Sequence, residues 1–461
     1  MKEKILQTLH ELRAYAVQQR AELEISYHSE DSHLMRFANS AISLNTNEQL
    51  SRLEFTAFDG RKRASYEMIT GLDDLDRLKQ GVDRAVEMAH HAQPLTYDPT
   101  IPTYKEDFAD ESGFDAALAE ISNEERLEFF NQVAAGLETD EINLSGIFSN
   151  GTNTLALINT RSEHTQYYCF TDCQITVVLA HSRLKWEVVA EQSAQKKAEL
   201  NPEALHKRLA LMVELYQKGK PEQLPLGKYD VVFGAAASGA WLEFAQYIGI
   251  DGGEMKRGNT FLAEKDINTK KFSKKFTLLD DATRLETFPF RRDFSGIDRG
   301  VFPIVENGVL KNFVWGQDDA DEFDVEPTGQ SVMHLSLVVK SGDKPVNSLE
   351  DLLAMPRDRD ILYIPYIHYI GIVNPTEGIL TGSSRFGALL LKKDGSVTIP
   401  YNVRFTQSLL TFFGEGIEWI SSETVPYNTS RSYGARNPTA IIAPRFMQVN
   451  GLEISHSNQS Y

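Results

Sequence analysis

The eleven histidines are the first candidates for metal or acid–base chemistry: His10, His28, His33, His90, His91, His164, His181, His206, His334, His368 and His456. None forms a His-Glu-x-x-His pair, which would put two imidazoles on one helix face with a general base between them. His90 and His91 are adjacent and should point apart on a helix. His368 lies in Tyr366–Gly371, which reads as a buried strand, so a core histidine is expected there. Cys169 and Cys173 are the only cysteines. Their segment alternates like a strand, which sets them about 13 Å apart at ~3.3 Å per residue. A disulfide spans Cα atoms only up to about 6.8 Å, so two buried thiols are expected. The acidic run Asp318–Asp324 lacks the glycine and spaced carboxylates of a calcium loop and reads as solvated surface. Gly234 and Gly239 have phosphate-loop spacing, but Ala240 and Trp241 stand where lysine and a hydroxyl are needed. Ser238 follows a strand and precedes a helix, as a nucleophile would, yet Ala236 and Ala240 replace the flanking glycines. A helix N-cap is the expectation for Ser238. These motifs assign no catalytic residue and no metal site.

Other elements must position whatever chemistry exists. The chain has 461 residues, 41% hydrophobic, enough for two or three domains with sizeable cores. A net charge of −18 opposes binding to a phosphate backbone. The densest basic stretch, Lys270–Lys275, reads as a strand end or loop. No apolar signal core or membrane span is evident, and sparse cysteine fits a reducing compartment, so a cytoplasmic location is expected.

The expected fold class is α+β. Residues 3–20 and 72–91 read as amphipathic helices. Between them lie alternating segments at Leu23–Tyr27 and Leu53–Phe58, the second ending at the hairpin signal Asp59-Gly60. A Pro-containing linker spans Gln93–Gly113. The pattern then recurs: a helix over 123–136 with a Ser122/Glu125 capping box, strands at Ile142–Ser149, Thr154–Asn159, Gln166–Leu179 and Leu184–Val189, and a charged helix over 192–218. Phe37–Ser40 and Phe148–Gly151 read as equivalent turns. Two related α+β modules, antiparallel sheets with flanking helices, are therefore expected at 1–95 and 114–220. A β-rich, barrel- or sandwich-like domain should occupy 226–461. There Tyr229–Gly234 reads as a buried strand, 235–248 as a helix, and Glu306–Gly308, Lys393–Gly395 and Val449–Gly451 as type I′-like hairpin turns.

One segment, Val231–Phe261 (VVFGAAASGAWLEFAQYIGIDGGEMKRGNTF), resembles the signature region of the TldD/TldE (PmbA) family, once named modulators of DNA gyrase. Val305–Lys311, Pro327–Gly329, Asn374–Gly387, Phe446–Leu452 and Arg36–Ile42 resemble further family hairpins and strands, in order along nearly the whole chain. In the catalytic branch the resemblance implies a helix bearing His-Glu-x-x-x-His. The histidines hold zinc, the glutamate is the expected base, and a C-terminal cysteine completes the metal site. That spacing exceeds the usual i, i+4 pair by one residue and implies a locally distorted helix. Alignment on Val231–Gly234, Gly239, Gly249, Gly252 and Arg257-Gly258 puts Glu243, Phe244 and Ile248 at the three positions. No cysteine follows residue 173.

The resemblance therefore implies the zinc-free TldE-like subunit of a metallopeptidase complex acting on unfolded or extended peptides. It implies no cofactor in this chain, zinc in a TldD-type partner, and no direct contact with nucleic acid or membrane. A non-enzymatic homodimer that binds peptides is the alternative; a hydrolase built on Ser238 or His368 is a third. Ser238, Gly239, Gly249, Gly382, Ser383 and Ser384 form a candidate peptide-contact region.

Overall fold

A computed structural model describes residues 1–430 and 436–458. Its first sheet has seven strands: β1 (Glu22–Ala38), β2 (Ala41–Asp59), β3 (Lys62–Ile69), β4 (Phe108–Asp110), β5 (Ile142–Asn159), β6 (Gln166–His181) and β7 (Glu187–Ala194). The order is β3-β2-β1-β5-β6, with β4 and β7 both on the outer edge of β6. Thus 1–95 and 114–220 each contribute three consecutive antiparallel strands, and the two triplets join where β1 pairs with β5.

Helix α1 (Lys2–Gln18) and helix α2 (Leu75–His91) pack on one face of β1–β3, burying Ile5, Leu9 and Val82 against Ile25, Leu53 and Phe55. Asp74 caps α2, accepting from the Arg77 N–H at 3.0 Å. After the short α3 (Ala116–Ala119), α4 (Asn123–Ala134) carries the expected capping box, with Ser122 and Glu125 exchanging hydrogen bonds of 3.2 and 2.9 Å. The charged helix is shorter than expected. Residues 187–194 continue the sheet, and α5 (Pro202–Gln217) begins only where Asn201 caps and Pro202 occupies the first turn.

The paired-turn expectation is half right. Asn39 and Ser40 adopt φ of 51° and 60° and turn the β1–β2 hairpin. Phe148–Gly151 is no turn; it runs through the middle of the single long strand β5, paired on both sides. The 93–113 linker also contributes β4, parallel to β6.

The C-terminal half holds two open sheets, and neither closes into a barrel. Strand β8 (Gly227–Gly234) belongs to a nine-stranded sheet with β13 (Ile361–Ile364), β14 (Tyr366–Asn374), β15 (Ile379–Arg385), β16 (Leu389–Leu391), β17 (Val397–Thr398), β18 (Asn402–Ser408), β19 (Ile417–Ile420) and β22 (Phe446–Asn458). Its order is β14-β15-β18-β22-β8-β13-β16-β17, with β19 on β22. The other sheet joins β9 (Leu278–Asp281), β10 (Val301–Glu306), β11 (Val309–Leu310), β12 (Leu337–Val339), β20 (Thr424–Asn428) and β21 (Ala440–Pro444) in the order β11-β10-β9-β12-β21-β20. One core is shared by both sheets, including Phe233, Leu278, Val339, Phe405 and Met447.

Of the three expected type I′ turns, only Asn307-Gly308 has both residues at positive φ (49° and 82°). At Lys393–Gly395 only Gly395 does (φ 87°). Asn450-Gly451 is a bulge inside continuous β22, where the register against β8 shifts between Val449 and Leu452. Among the described residues no helix is long and apolar enough to cross a membrane.

Candidate functional site

The signature segment folds as strand, helix, π-turn and short helix. Val231, Val232 and Phe233 of β8 are fully buried between parallel β13 and antiparallel β22. The chain then enters α6 (Ala235–Ala245), which packs between the two C-terminal sheets, touching β8, β14 and β22 on one side and β20 and β21 on the other. A helix enclosed this way must be apolar all round and small where backbones approach. Its sequence AAASGAWLEFA meets both needs. A Cβ at Gly239 would lie 2.5 Å from Cδ1 of Tyr427 on β20, so only glycine permits this approach. Trp241 is fully buried and stacks on Phe412 with ring centroids 4.3 Å apart.

Ser238 is not the N-cap. Gly234 holds that position, and Ser238 lies in the second turn, fully buried, with its hydroxyl lacking a hydrogen-bond partner among the described residues. Sequence spacing misplaced the cap because the strand ends at Gly234 and the helix follows without a loop.

Residues Gln246–Ile250 form a π-turn, after which Asp251 caps α7 (Gly252–Lys256). Its i→i+5 bonding widens the helix by one residue and aligns positions five apart. Glu243 lies on α6 before this turn, and Ile248 lies within it. Ile248 is buried in the core, and Phe244 packs partly buried against it. Glu243 is half-buried without a hydrogen-bond or ion-pair partner among the described residues, and burial raises its pKa. Its charge, behind burial and the neighbouring acids and phenols, helps raise the pKa of Tyr366 and Tyr427, whose ring centroids are 6.5 Å apart. Phe and Ile carry no donor atom for a metal. Among the described residues no three His, Cys, Asp or Glu side chains come together to hold one. The residues present at this helix therefore do not fit the zinc of a metallopeptidase.

Of the six candidate peptide-contact residues, Ser238 and Gly239 lie on α6, Gly249 in its π-turn, and Gly382, Ser383 and Ser384 on β15. A Cβ on Gly382 would lie 3.0 Å from Trp241, and one on Gly249 would lie 2.8 Å from Phe261. Ser384 is buried, and its hydroxyl accepts from the Val403 N–H at 2.9 Å. Ser383 alone is partly open, paired across the ladder with His368.

His368 is not in a core strand. It sits on β14, the edge of the nine-stranded sheet, where Tyr369, Ile372 and Val373 are exposed. Its ring is half-buried beside Arg385, and burial with the Arg385 and Arg404 charges pushes its pKa down to about 4. The two thiols are free on β6, Cys173 buried and Cys169 partly so. His90 and His91 do not point apart; their rings meet edge-on at 5.3 Å in the last turn of α2. The acidic run forms α8 (Gln317–Phe323), whose Asp319 and Glu322 pair with Arg257 and whose Asp318 pairs with Arg63.

Sequence reasoning missed a cavity of about 500 Å³ at the N-terminus of α6, lined by Ala235, Ala236, Glu191, Arg208, Tyr363 and Tyr366. Arg208 donates to the Tyr363 hydroxyl at 2.9 Å. Burial pushes the Glu191 carboxyl up to about 7 against the pull of Arg208. The cavity draws on residues from 189 to 446, so no local signal marks it.

A seven-stranded sheet of two α+β triplets, joined to two open sheets enclosing a helix with a π-turn, defines a PmbA/TldD-type architecture. The family model described as "PmbA/TldA metallopeptidase C-terminal domain" matches residues 226–456, half of the chain. The chain belongs to this metallopeptidase family. Its fold is similar to that of TldE from Thermococcus kodakarensis, with TM-score 0.79 and 16% identity over 97% of this chain and 100% of that one. It is also similar to a protein from Bacteroides thetaiotaomicron described as a modulator of DNA gyrase (TM-score 0.76, 16% identity, 97% and 98% covered). A protein so described from Thermotoga maritima is similar too (TM-score 0.74, 15% identity, 97% and 99% covered). No curated protein matches the sequence.

Proposed function

We propose that this chain is a non-catalytic, TldE-like subunit that works in peptide degradation or maturation beside a zinc-bearing, TldD-type partner. The observation that carries the reading is the α6 helix. Glu243 and Phe244 lie on α6 and Ile248 lies in its π-turn, and the family resemblance aligns these three with the two ligands and the base of the catalytic branch. A two-His site cannot be assembled from one carboxylate and two apolar side chains. The domains proposed are 1–95, 114–220 and 226–461, with the last carrying the vacated helix. An extended peptide has a place to dock on β14, an edge strand with unpaired backbone groups and exposed Tyr369, Ile372 and Val373. Main-chain pairing at such an edge binds with little sequence preference.

The test is affinity purification of the full chain from its own cells, metal analysis, and a peptide-cleavage assay with and without the co-purifying chain. The expected result is a partner bearing His-Glu-x-x-x-His, zinc in that partner, and cleavage only by the pair. Stoichiometric zinc in this chain with cleavage by it alone would refute the proposal. Purification without any partner would favour a homodimer.

A further inference from the structure

The cavity at the N-terminus of α6 is walled by β7, α5, β20 and the first turn of α6. Strand alternation sends Val188 and Ala190 of β7 into the core beside α5, which leaves Val189, Glu191 and Ser193 on the cavity side. Of the six charged side chains in the wall, four have partners. Lys207 pairs with Glu350 at 3.0 Å, and Arg445 pairs with Glu423 at 3.2 Å. Glu199 accepts from the N–H groups of Gln195 and Lys196 at 2.8 and 3.2 Å.

Glu191 and Arg208 remain. Glu191 has no hydrogen-bond or ion-pair partner among the described residues, and Arg208 has only the Tyr363 hydroxyl, at 2.9 Å. The two form no ion pair with each other. Neither is sealed in the core: the Glu191 carboxyl and the remaining N–H groups of Arg208 stay accessible from the cavity. Burial raises the Glu191 carboxyl to about 7 in spite of Arg208, as expected of a carboxylate with no cation in contact. Two opposite charges held apart and partly desolvated do not stabilise a fold, since each costs free energy until something pairs with it. The first turn of α6 adds a further positive site. Ala235 and Ala236 line the cavity, and Gly234 caps the helix without a side-chain acceptor, so no side chain covers the positive end of the helix.

A ligand with one ammonium and one carboxylate would pair both free groups at once. We propose that this cavity binds a small α-amino-acid zwitterion, its ammonium on Glu191 and its carboxylate on Arg208 and the N-terminus of α6. The zwitterion is a free amino acid or a short peptide, and a volume of about 500 Å³ admits either. Glu243, Phe244 and Ile248 take no part in the wall, so the site stands independently of the subunit role.

Calorimetric titration of the full chain at pH 7.5 tests the site with L-alanine and alanyl-alanine. Each is compared with its N-acetylated form, which lacks the ammonium, and its C-terminal amide, which lacks the carboxylate. Saturable binding of at least one unblocked probe is expected, weakened about tenfold or more by either block. E191Q keeps the side-chain shape and should bind the unblocked and N-acetylated probes alike. The control E138Q removes the same charge at an exposed position outside the cavity and should bind as the parent does. The tighter of the two unblocked probes distinguishes a free amino acid from a peptide. No saturable binding of either probe, equal binding of the blocked forms by the parent, or equal loss in E138Q and E191Q would overturn the proposal. The blocked probes are compared on the parent, so the test holds even where a variant fails to fold.

Discussion

Replacing Glu24 by glutamine should make the protein more stable at pH 8 and leave it unchanged near pH 4. Burial, then the Asp318 charge, raises the Glu24 carboxyl from the ordinary 4.5 to about 7, with Arg63 opposing and Glu54 adding to the rise. Tyr104 and His334 line a cavity with Glu24, and His334 is neutral above about pH 4, so neither offers Glu24 a compensating cation. Because the folded-state pKa is raised, the folded protein holds more protons than the unfolded chain between pH 4.5 and about 7. Stability therefore falls as pH rises through that window and levels off above it. A displacement of this size corresponds to a ceiling of about 3.5 kcal/mol at ~1.4 kcal/mol per pH unit. Glutamine removes the charge but keeps the shape and a polar amide to accommodate, so a gain of about 1–3 kcal/mol is expected at pH 8. Urea unfolding of both proteins at pH 8 and at the lowest pH where the fold persists measures it. A variant no more stable than the parent at pH 8, or an equal gain at both pH values, would show that Glu24 is not held at a cost.

Other perturbations probe the framework. G239A would push a Cβ to 2.5 Å from Tyr427 and should lower stability by about 1–3 kcal/mol, read as a lower urea midpoint; an unchanged midpoint would mean that α6 and β20 are free to separate. D172A removes the carboxylate that faces the fully buried Arg436 guanidinium and should cost about 3–5 kcal/mol, far more than removal of an exposed ion pair; a loss under about 1 kcal/mol would argue against the buried pair. If the π-turn aligns positions 243 and 248, E243H/I248H should acquire a thermal stabilisation by zinc that chelator reverses and that the parent lacks. Zinc-independent melting of this variant would disprove the alignment.

Much of the N-terminal half was legible because its signals are local. The Ser122/Glu125 capping box, the Asp59-Gly60 turn and the helical faces of residues 3–20 and 72–91 depend on contacts a few residues apart, and each reappears in the structure. Errors arose where one sequence pattern suits two environments. Phe148–Gly151 and Asn450-Gly451 are rich in turn residues, yet pairing on both sides keeps β5 continuous, and β22 passes through Asn450-Gly451 as a bulge against β8. Tyr366–Gly371 is apolar enough for a core strand, but only its place at the end of the sheet order exposes it. Ser238 is a good cap by composition, but the strand feeding α6 ends four residues earlier.

The sequence by itself determined the α+β class, the family resemblance and the place of Glu243, Phe244 and Ile248 within the signature segment, because residue order needs no geometry. The tertiary structure alone decided that those positions lie on a π-turned helix enclosed between two sheets, and that Glu191, Arg208, Ala235 and Tyr363 meet around one cavity. Burial, charge proximity and cavity shape arise between segments hundreds of residues apart, and no local pattern records them.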